Sequence, residues 1–326
     1  MKSARTVQIK EYGDPGRMEI VAVELPPPAD GEVQLRQTVI GFNYIDVYQR
    51  KGIYPLPLPT GLGHEAAGVV EAVGSGVVQF RPGDRVTYMN AGVGAYADYR
   101  NAPSDRLVTI PSGVSDEQAA ALFFKGMTAQ YLLKKTHVVR PGEVVLVHAA
   151  AGGVGQILCQ WAKWLGAFVI GTAGSEEKCE TARAAGCDLA INYSKEDWPA
   201  KLLKATGGKK ADVVYDSVGK DTFLKSLDCA APFGLVVLYG AASGPAPVIE
   251  PDLLNKKGCL FLTRPSVFPH NADPATFRAN AADLFEAIST GLVKSNIGAR
   301  FKLDDIVAAH TAAESRTTQG AIVITL

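Results

Sequence analysis

Ala149-Ala150-Ala151-Gly152-Gly153-Val154-Gly155 is a glycine-rich stretch with an apolar run before it and a helical pattern after it. The preceding run, residues 144–148, has the length of a buried strand, and the following apolar side chains recur three or four positions apart. A strand that turns through glycines into a helix is typical of the phosphate-binding unit of a dinucleotide fold. We therefore predict a nucleotide site, with a tight turn that binds no ligand as the alternative. The residues expected to contact the pyrophosphate are Gly152, Gly153, Val154 and Gly155.

The composition is that of a globular protein with no charge bias towards nucleic acid or membrane surfaces. Of 326 residues, 47% are hydrophobic and 20% are charged, and the 33 Lys and Arg balance the 33 Asp and Glu. Residues 1–10 lack the apolar core of a secretory signal, and the low-charge run 144–162 is better explained by a buried strand and helix than by a membrane span. Five widely spaced cysteines indicate buried free thiols. We expect a cytoplasmic protein with no membrane segment.

The chain shows two regions with different secondary-structure patterns. The first 125 residues or so show short strands broken by Gly and Pro, whereas from residue 144 strands and helices alternate. The alternating strands are expected at 144–148, 168–172, 189–191, 213–216, 235–239 and 260–263, and the helices between them at 154–165, 176–185, 197–206 and 221–230. This order predicts a doubly wound, parallel, six-stranded sheet. Beyond it we predict helices near 275–290 and 304–314, and a last strand at 321–326 that returns to the first domain.

The end of the second alternating strand indicates which nucleotide binds. A site that prefers NAD usually places an acidic residue there for the ribose 2′-hydroxyl. Here the strand ends in Gly174 and Ser175, and Lys178 lies one turn into the next helix. Glu176 and Glu177 stand at the start of that helix, where carboxylates favour the helix dipole. The pattern favours NADP over NAD, although a solvated helix lysine is the simplest explanation of Lys178 alone.

Several motifs together resemble the medium-chain dehydrogenase/reductase superfamily and, within it, the zinc-free, zeta-crystallin-like NADPH:quinone oxidoreductases. The superfamily motifs are the glycine-rich stretch, Gly61-Leu62-Gly63-His64-Glu65 and Arg81-Pro82-Gly83-Asp84-Arg85-Val86. The narrower motifs are Asn43-Tyr44-Ile45-Asp46, Lys125-Gly126-Met127-Thr128, Ile191-Asn192-Tyr193, Tyr215-Asp216-Ser217-Val218-Gly219, Thr263-Arg264-Pro265-Ser266 and Glu314-Ser315-Arg316-Thr317-Thr318-Gln319-Gly320. The match runs from near residue 5 to the end of the chain.

The resemblance implies a GroES-like catalytic domain (1–125 and 266–326) and a Rossmann NADPH-binding domain (126–265), with the active site in the cleft between them and commonly a homodimer. It assigns the 2′-phosphate to Lys178, Tyr193 and Arg316, a physically sensible set of two cations and a phenol. It places further cofactor contacts at Tyr44, Ile45, Asp46, Val47, Tyr48, Thr128, Gly174, Ser175, Ser217, Tyr239, Gly240, Ala241, Ala242, Arg264, Pro265 and Ser266.

The zinc site of related alcohol dehydrogenases is not expected in this chain. Those enzymes use an early cysteine, the histidine of a Gly-His-Glu motif and a later ligand. Here the cysteine position is Asn43, and the first cysteine is Cys159. His64 and Glu65 alone do not make a three-ligand site. His64 is then explained by ancestry, by a structural hydrogen bond or by a place facing the substrate.

Without a metal, the chemistry suits an acceptor whose reduced anion is delocalised, which means a quinone or a conjugated enone. The candidates to line the acceptor site are Asn43, Tyr48, Tyr54, His64 and Lys125. Asn43, Tyr54 or Lys125 can hydrogen-bond the acceptor oxygen, while Tyr48 and Tyr54 are equally well explained as packing aromatics. The expected function is NADPH-dependent quinone reduction. An NADPH-dependent alkenal or enone double-bond reductase and a non-catalytic crystallin-like or RNA-binding protein are the alternatives, and the neutral net charge argues against nucleic acid.

Overall fold

The computed structural model describes residues 1–315 and 318–326 and shows a mixed α/β chain. Its strands are β1 (Lys2–Ile9), β2 (Met18–Leu25), β3 (Glu32–Gly41), β4 (Thr60–Gly61), β5 (Glu65–Val73), β6 (Arg85–Tyr88), β7 (Tyr99–Pro103), β8 (Leu107–Thr109), β9 (Val144–Val147), β10 (Phe168–Ala173), β11 (Leu189–Asn192), β12 (Ala211–Asp216), β13 (Ala230–Leu238), β14 (Phe261–Thr263), β15 (Ile297–Lys302) and β16 (Ala321–Thr325). Its helices are α1 (Tyr44–Arg50), α2 (Asp116–Tyr131), α3 (Gly153–Trp164), α4 (Glu176–Ala184), α5 (Trp198–Ala205), α6 (Phe223–Cys229), α7 (Asp252–Lys256), α8 (Val267–His270), α9 (Pro274–Ser289) and α10 (Ile306–Glu314).

The chain divides into two compact units. One consists of Met1–Met127, His270–Thr290 and Ser295–Leu326, and the other of Thr128–Pro269 and Gly291–Lys294. We call them the β-rich unit and the nucleotide unit, and each is described by itself.

The nucleotide unit is built on one parallel sheet of six strands in the order β11-β10-β9-β12-β13-β14. The order reverses direction at β9, which is the arrangement of a doubly wound dinucleotide fold. Its strands are buried and apolar, since Val145, Leu146, Ile170 and Val214 are all 0% exposed. The predicted fold of this region is therefore confirmed.

The β-rich unit contains two sheets. A three-stranded sheet has the order β2-β1-β4, and a seven-stranded sheet has the order β15-β16-β3-β5-β6-β8, with β7 also paired to β3. Strand β16 pairs antiparallel with β3, with Val323 opposite Gly41, so the end of the chain returns to this unit as predicted. Apolar side chains from both ends of the sequence, such as Val33, Tyr88 and Ile324, share its core.

The structure corrects one expectation and adds elements that the sequence pattern does not predict. Cys259 is exposed, whereas Cys159, Cys179, Cys187 and Cys229 are buried, and all five are free. Cys259 has φ +54° in the turn between α7 and β14, so its side chain is not part of a packed element. The chain also forms α1 and β15, which the sequence pattern does not predict. No helix within residues 1–315 and 318–326 is long and apolar enough to cross a membrane.

Candidate functional site

The glycine-rich turn between β9 and α3 is shaped by close backbone contacts. The N–H of Gly152 donates to the Ala149 carbonyl over 2.8 Å, and Ala149 itself takes φ +51°. A Cβ atom at Gly155 would lie 2.2 Å from the Ala149 oxygen, so a larger residue does not fit there. Helix α3 begins at Gly153 without a side-chain cap, which leaves the N–H groups of its first turn, including that of Val154, to serve an anion. The turn fits a pyrophosphate.

The end of β10 brings together several residues predicted to read the cofactor ribose. Ser175 caps α4 by accepting a hydrogen bond from the Lys178 N–H over 3.3 Å, so the hydroxyl proton of Ser175 remains available. A Cβ atom at Gly174 would lie 2.9 Å from the Tyr193 hydroxyl, and Tyr193 is 39% exposed. The nearby Glu176 pairs with Arg183 over 2.9 Å. The phenol of Tyr193, the hydroxyl of Ser175 and the start of α4 therefore lie around Gly174, which has no side chain to fill the space.

The turns after β12 and β13 also meet. The Ala242 N–H donates to the Ser217 carbonyl over 3.1 Å, and the side chains of Tyr239 and Ser217 are hydrogen-bonded. A Cβ atom at Gly240 would lie 2.5 Å from the Ser217 oxygen, so this contact requires glycine. Ala241 lies between these residues in the same turn.

The segment after β14 continues the same edge. Arg264 Nη1 donates to the Leu238 carbonyl at the end of β13 over 2.8 Å. Pro265 follows, and the Ser266 hydroxyl accepts from the Phe268 N–H over 3.5 Å at the start of α8. The carboxyl edge of the parallel sheet thus carries the predicted cofactor residues of β9, β10, β12, β13 and β14, as expected for an open α/β sheet.

In the β-rich unit, Tyr44 and Tyr48 of α1 and Tyr54 of the following segment form a ladder of packed aromatic rings. The ring centroids of Tyr44 and Tyr48 are 5.2 Å apart, as are those of Tyr48 and Tyr54, and both pairs are edge-to-face. Tyr48 is 8% exposed, whereas Tyr54 is half-buried. Of the other predicted α1 residues, Ile45 is half-buried and Val47 lies in the core. Packing explains most of the Tyr48 side chain.

Lys125, Asn43 and Glu65 form a buried polar cluster. Lys125 Nζ donates to the Phe42 carbonyl at 2.8 Å, to Asn43 Oδ1 at 3.2 Å and to Glu65 Oε1 at 3.4 Å, which uses its three donors. Asn43 Nδ2 donates to Glu65 Oε1 at 2.7 Å, and the Phe124 N–H donates to Glu65 Oε2 at 2.7 Å. Burial raises the pKa of Glu65, and Lys125 and Asn43 oppose that shift. Glu65 organises this cluster, a role that the sequence did not reveal.

His64 and Thr128 are both buried in their units. His64 Nε2 lies 2.9 Å from Gln49 Oε1, and burial lowers the pKa of His64 to about 4. This geometry favours the structural explanation of His64. Thr128 is 8% exposed on α2, one turn beyond Lys125 in sequence.

A buried chain of hydrogen bonds leads from α1 to α10. Arg50 Nε donates to His310 Nδ1 over 3.2 Å, so Nε2 of the neutral imidazole carries the proton and faces Tyr96 Oη at 3.3 Å. Tyr96 in turn donates to Asp46 Oδ2 over 2.7 Å, and Arg50 pairs with Glu314. The Asp46 side chain, which the resemblance assigned to the cofactor, is 0% exposed and faces this chain. Burial raises the pKa of Asp46 to about 7.

These residues do not fit a zinc ion. The expected thiolate is replaced by Asn43, and the ammonium group of Lys125 already contacts Asn43 Oδ1 and Glu65 Oε1. In the described part of the chain no three His, Cys, Asp or Glu side chains are grouped as metal ligands. The donor set is that of an internal ion pair.

Each unit thus assembles part of the predicted set. The nucleotide unit groups Gly152–Gly155 with the turns after β10, β12, β13 and β14, and the β-rich unit groups Asn43 with Lys125 and the tyrosines with one another. Arg316 lies outside the described residues, so its predicted role in 2′-phosphate binding stays a prediction.

Comparisons with known proteins agree with this description. Residues 29–112 match the alcohol dehydrogenase GroES-like domain, and residues 153–286 match a family described as zinc-binding dehydrogenase. The chain is 46% identical over 322 residues to a quinone oxidoreductase of Pseudomonas aeruginosa, covering 98% of this chain and 99% of the relative. It is 44% identical to a 2-haloacrylate reductase of Burkholderia, with 97% of each covered. The structure of Escherichia coli quinone oxidoreductase complexed with NADPH superimposes with a TM-score of 0.97 at 43% identity, covering 99% of this chain and 100% of that one. The chain belongs to the quinone oxidoreductase family of the medium-chain dehydrogenase/reductases.

Proposed function

We propose that this protein is an NADPH-dependent quinone reductase that passes reducing equivalents from NADPH to a quinone without a metal ion. The observation that carries the proposal is the similarity, over nearly the full length, to quinone oxidoreductases, among them the Escherichia coli enzyme that was solved with NADPH. Two features of the chain itself support the proposal: the glycine-rich turn supports binding of the cofactor, and the internal Lys125–Glu65 ion pair supports a reaction without a metal ion.

On the cofactor side, the first turn of α3 binds the pyrophosphate, with Gly155 allowing the close approach of helix and turn. Lys178, Tyr193 and Arg316 bind the 2′-phosphate. The turns after β12, β13 and β14 hold the ribose and nicotinamide, through Ser217, Tyr239 to Ala242 and Arg264 to Ser266. When bound, NADPH supplies the hydride for the reduction.

On the acceptor side, we assign different tasks to the candidate residues. The donors of Lys125 and Asn43 are engaged within their buried cluster, so these residues set the local charge and shape rather than bond the acceptor directly. Tyr54 is a half-buried tyrosine at one end of the tyrosine ladder, and its phenol is of the type that can hydrogen-bond the acceptor oxygen. The delocalised product anion needs no stronger acid and takes its proton from water.

A second candidate is reduction of an activated carbon–carbon double bond. The 44% identity to a 2-haloacrylate reductase over 97% of the chain favours it specifically. Both reactions deliver a hydride to an electron-poor conjugated system, so the same scaffold serves either.

Steady-state assays separate the two candidates. We expect NADPH oxidation with 1,4-benzoquinones to exceed that with 2-haloacrylates and 2-alkenals in kcat/KM by about tenfold or more, which corresponds to about 1.4 kcal/mol. Tyr54→Phe is expected to lower kcat for quinones, with Tyr99→Phe, at a half-buried tyrosine of β7 outside the candidate site, as its control. A higher kcat/KM with the 2-haloacrylates or the 2-alkenals would replace the proposed function by the second candidate.

We also propose a homodimer in the cytoplasm. Strand β14 is at the edge of the six-stranded sheet and carries Phe261 and Leu262, 62% and 36% exposed, with the nearby Phe233 at 71%. An apolar edge strand of this kind favours pairing with a second copy of the sheet. Five free cysteines favour a reducing compartment.

A further inference from the structure

A row of buried polar side chains crosses the parallel sheet at the level where the ladders of its central strand β9 end. The last pairs of β9 are Val147 with Gly171 of β10 and Val147 with Tyr215 of β12. The next residue on each strand is polar and 0% exposed, namely His148, Thr172 and Asp216. The row therefore lies at the end of the β9 ladders, close to the turns that follow β9 and β12.

The side chains continue the connection between strands. His148 Nδ1 lies 2.8 Å from Thr172 Oγ1, and His148 Nε2 lies 3.0 Å from Ser226 Oγ of α6. Ser226 Oγ donates to Asp216 Oδ2 over 2.8 Å. We refer to Thr172, His148, Ser226 and Asp216 as the strand-end network.

The direction of each hydrogen bond in the network follows from Asp216. A carboxylate only accepts, so the Ser226 hydroxyl proton points to Asp216 and the Ser226 oxygen accepts from His148 Nε2. The neutral imidazole then accepts at Nδ1 from Thr172. Burial lowers the pKa of His148, which keeps it neutral, and the Trp198 ring packs edge-to-face on it at 4.8 Å.

Asp216 also fixes the turn that follows it. Its Oδ1 accepts from the N–H groups of Val218 and Gly219 at 2.9 and 3.0 Å and from the Thr222 hydroxyl at 2.8 Å. Its backbone carbonyl accepts from the Tyr239 N–H at 2.9 Å. The Asp216 carboxylate thus joins the turn after β12 to the start of α6, and the Asp216 backbone carbonyl joins this turn to the end of β13.

We propose that the strand-end network positions the cofactor turns, so that His148, Ser226 and Asp216 are positioning residues for NADPH binding. This inference rests on the proposed function. His148 directly precedes the glycine-rich turn, Thr172 stands two residues before Gly174, and Asp216 directly precedes Ser217. In this proposal the spacing of these turns sets the distance between the pyrophosphate and ribose contacts, and side chains that are 0% exposed fix that spacing.

The experiment compares cofactor dissociation constants of the wild-type protein, Ser226→Ala and His148→Leu, measured by fluorescence titration with NADPH and with NADH. Ser226→Ala removes only the hydroxyl that links His148 to Asp216. The control is Thr87→Val in the β-rich unit, which deletes an equally buried hydroxyl that donates to the Ala66 carbonyl over 3.0 Å. Thermal unfolding is recorded for every variant, and titrations are made below its transition.

We expect both network variants to weaken NADPH and NADH by the same factor, about tenfold or more, while Thr87→Val loses stability but keeps both constants within about twofold. Unchanged constants in a folded Ser226→Ala protein would overturn the inference. A loss confined to NADPH would also overturn it, because the network would then act through the 2′-phosphate. If His148→Leu does not fold, Ser226→Ala decides the question. A wild-type protein that binds neither cofactor would contradict the proposed function itself.

Discussion

We propose that a few side chains at the end of β10 decide the choice of cofactor. The strand is followed by Gly174 and Ser175, and the acidic Glu176 is paired with Arg183. Tyr193 lies against Gly174, and Lys178 lies in the first turn of α4. No acidic residue occupies positions 174 and 175 at the end of the strand, and the Lys178 cation lies within the next turn.

Lys178→Ala should therefore weaken NADPH but not NADH. We expect a loss of about 1.5–3 kcal/mol in NADPH binding, because only NADPH offers the partner anion for a charge-assisted contact. The control is Lys204→Ala, an exposed lysine on α5. Arg316→Ala should act in the same direction and the double variant less than additively. Equal weakening of both cofactors by isothermal titration would show that Lys178 does not read the phosphate.

Buried histidines make the stability depend on pH. Burial, with Arg100, lowers the pKa of His64 from 6.5 to about 4, and burial, with Arg50, lowers that of His310 from 6.5 to about 3. Below pH 6.5 the unfolded chain binds protons that the folded chain does not, so acidification destabilises the fold. The effect of Asp46 on stability has the opposite sign. Burial raises its pKa from 3.8 to about 7, so its contribution to the free energy of unfolding is lost as the pH rises through that value.

Burial also lowers the pKa of His148 and raises that of Glu65, so three histidines oppose two carboxyls, and the free energy of unfolding should fall from about pH 6.5 towards pH 4. His64→Gln should reduce the slope by up to about 1.4 kcal/mol per pH unit, and Asp46→Asn should make it steeper. Urea unfolding at a series of pH values measures both slopes. A slope unchanged by His64→Gln would mean that this histidine titrates alike in the folded and unfolded chains.

Among the elements, those with a strong apolar pattern were predictable and those held by polar contacts were not. Strand β9 is a continuous apolar run, β10 and β12 contain the apolar stretches 168–170 and 213–215, and their order follows from the alternation with helices. Helix α1 escaped prediction because it is short and buries Asp46, Gln49 and Arg50, which a hydrophobic pattern assigns to the surface.

The candidate site was predictable only as motifs. The motif Gly63-His64-Glu65 makes His64 the candidate site residue, yet Glu65 is the residue that contacts Asn43 and Lys125. The contact between Arg50 and His310 joins residues 260 positions apart, and no local pattern encodes it. Residue types and spacing point to a cofactor, but the distribution of buried hydrogen bonds appears only in the folded chain.

Gly155→Ala tests the junction of β9 and α3. The new methyl group would lie 2.2 Å from the Ala149 carbonyl oxygen, so α3 must shift away from the turn. We expect a loss of about 1–3 kcal/mol in stability and weaker binding of NADPH and NADH alike. Gly113→Ala, where no atom lies within 4 Å of the added methyl, is the control. Normal cofactor affinity in Gly155→Ala would contradict the assignment of this turn to the pyrophosphate.

At the level of the whole molecule, the exposed edge of the six-stranded sheet predicts the oligomeric state. Phe261 on β14 is 62% exposed, and an acidic residue there would face a like charge or an apolar surface in a dimer. Light scattering should give a dimer for the wild-type protein and a monomer for Phe261→Asp. Val78→Asp, at an equally apolar position that is 91% exposed in the β-rich unit, should stay dimeric. A monomeric wild-type protein, or a Phe261→Asp dimer, would exclude this edge as the interface.

The function proposed for this chain is the transfer of reducing equivalents from NADPH to a quinone with no metal ion. It is tested most directly by the rate of 1,4-benzoquinone reduction after dialysis against a strong chelator, with NADPH and NADH compared and zinc determined on the same sample. We predict an undiminished rate, a kcat/KM at least about tenfold higher with NADPH than with NADH, and well below one zinc per chain. A rate lost on chelation and restored by zinc, or no turnover of any quinone, would contradict the proposed function.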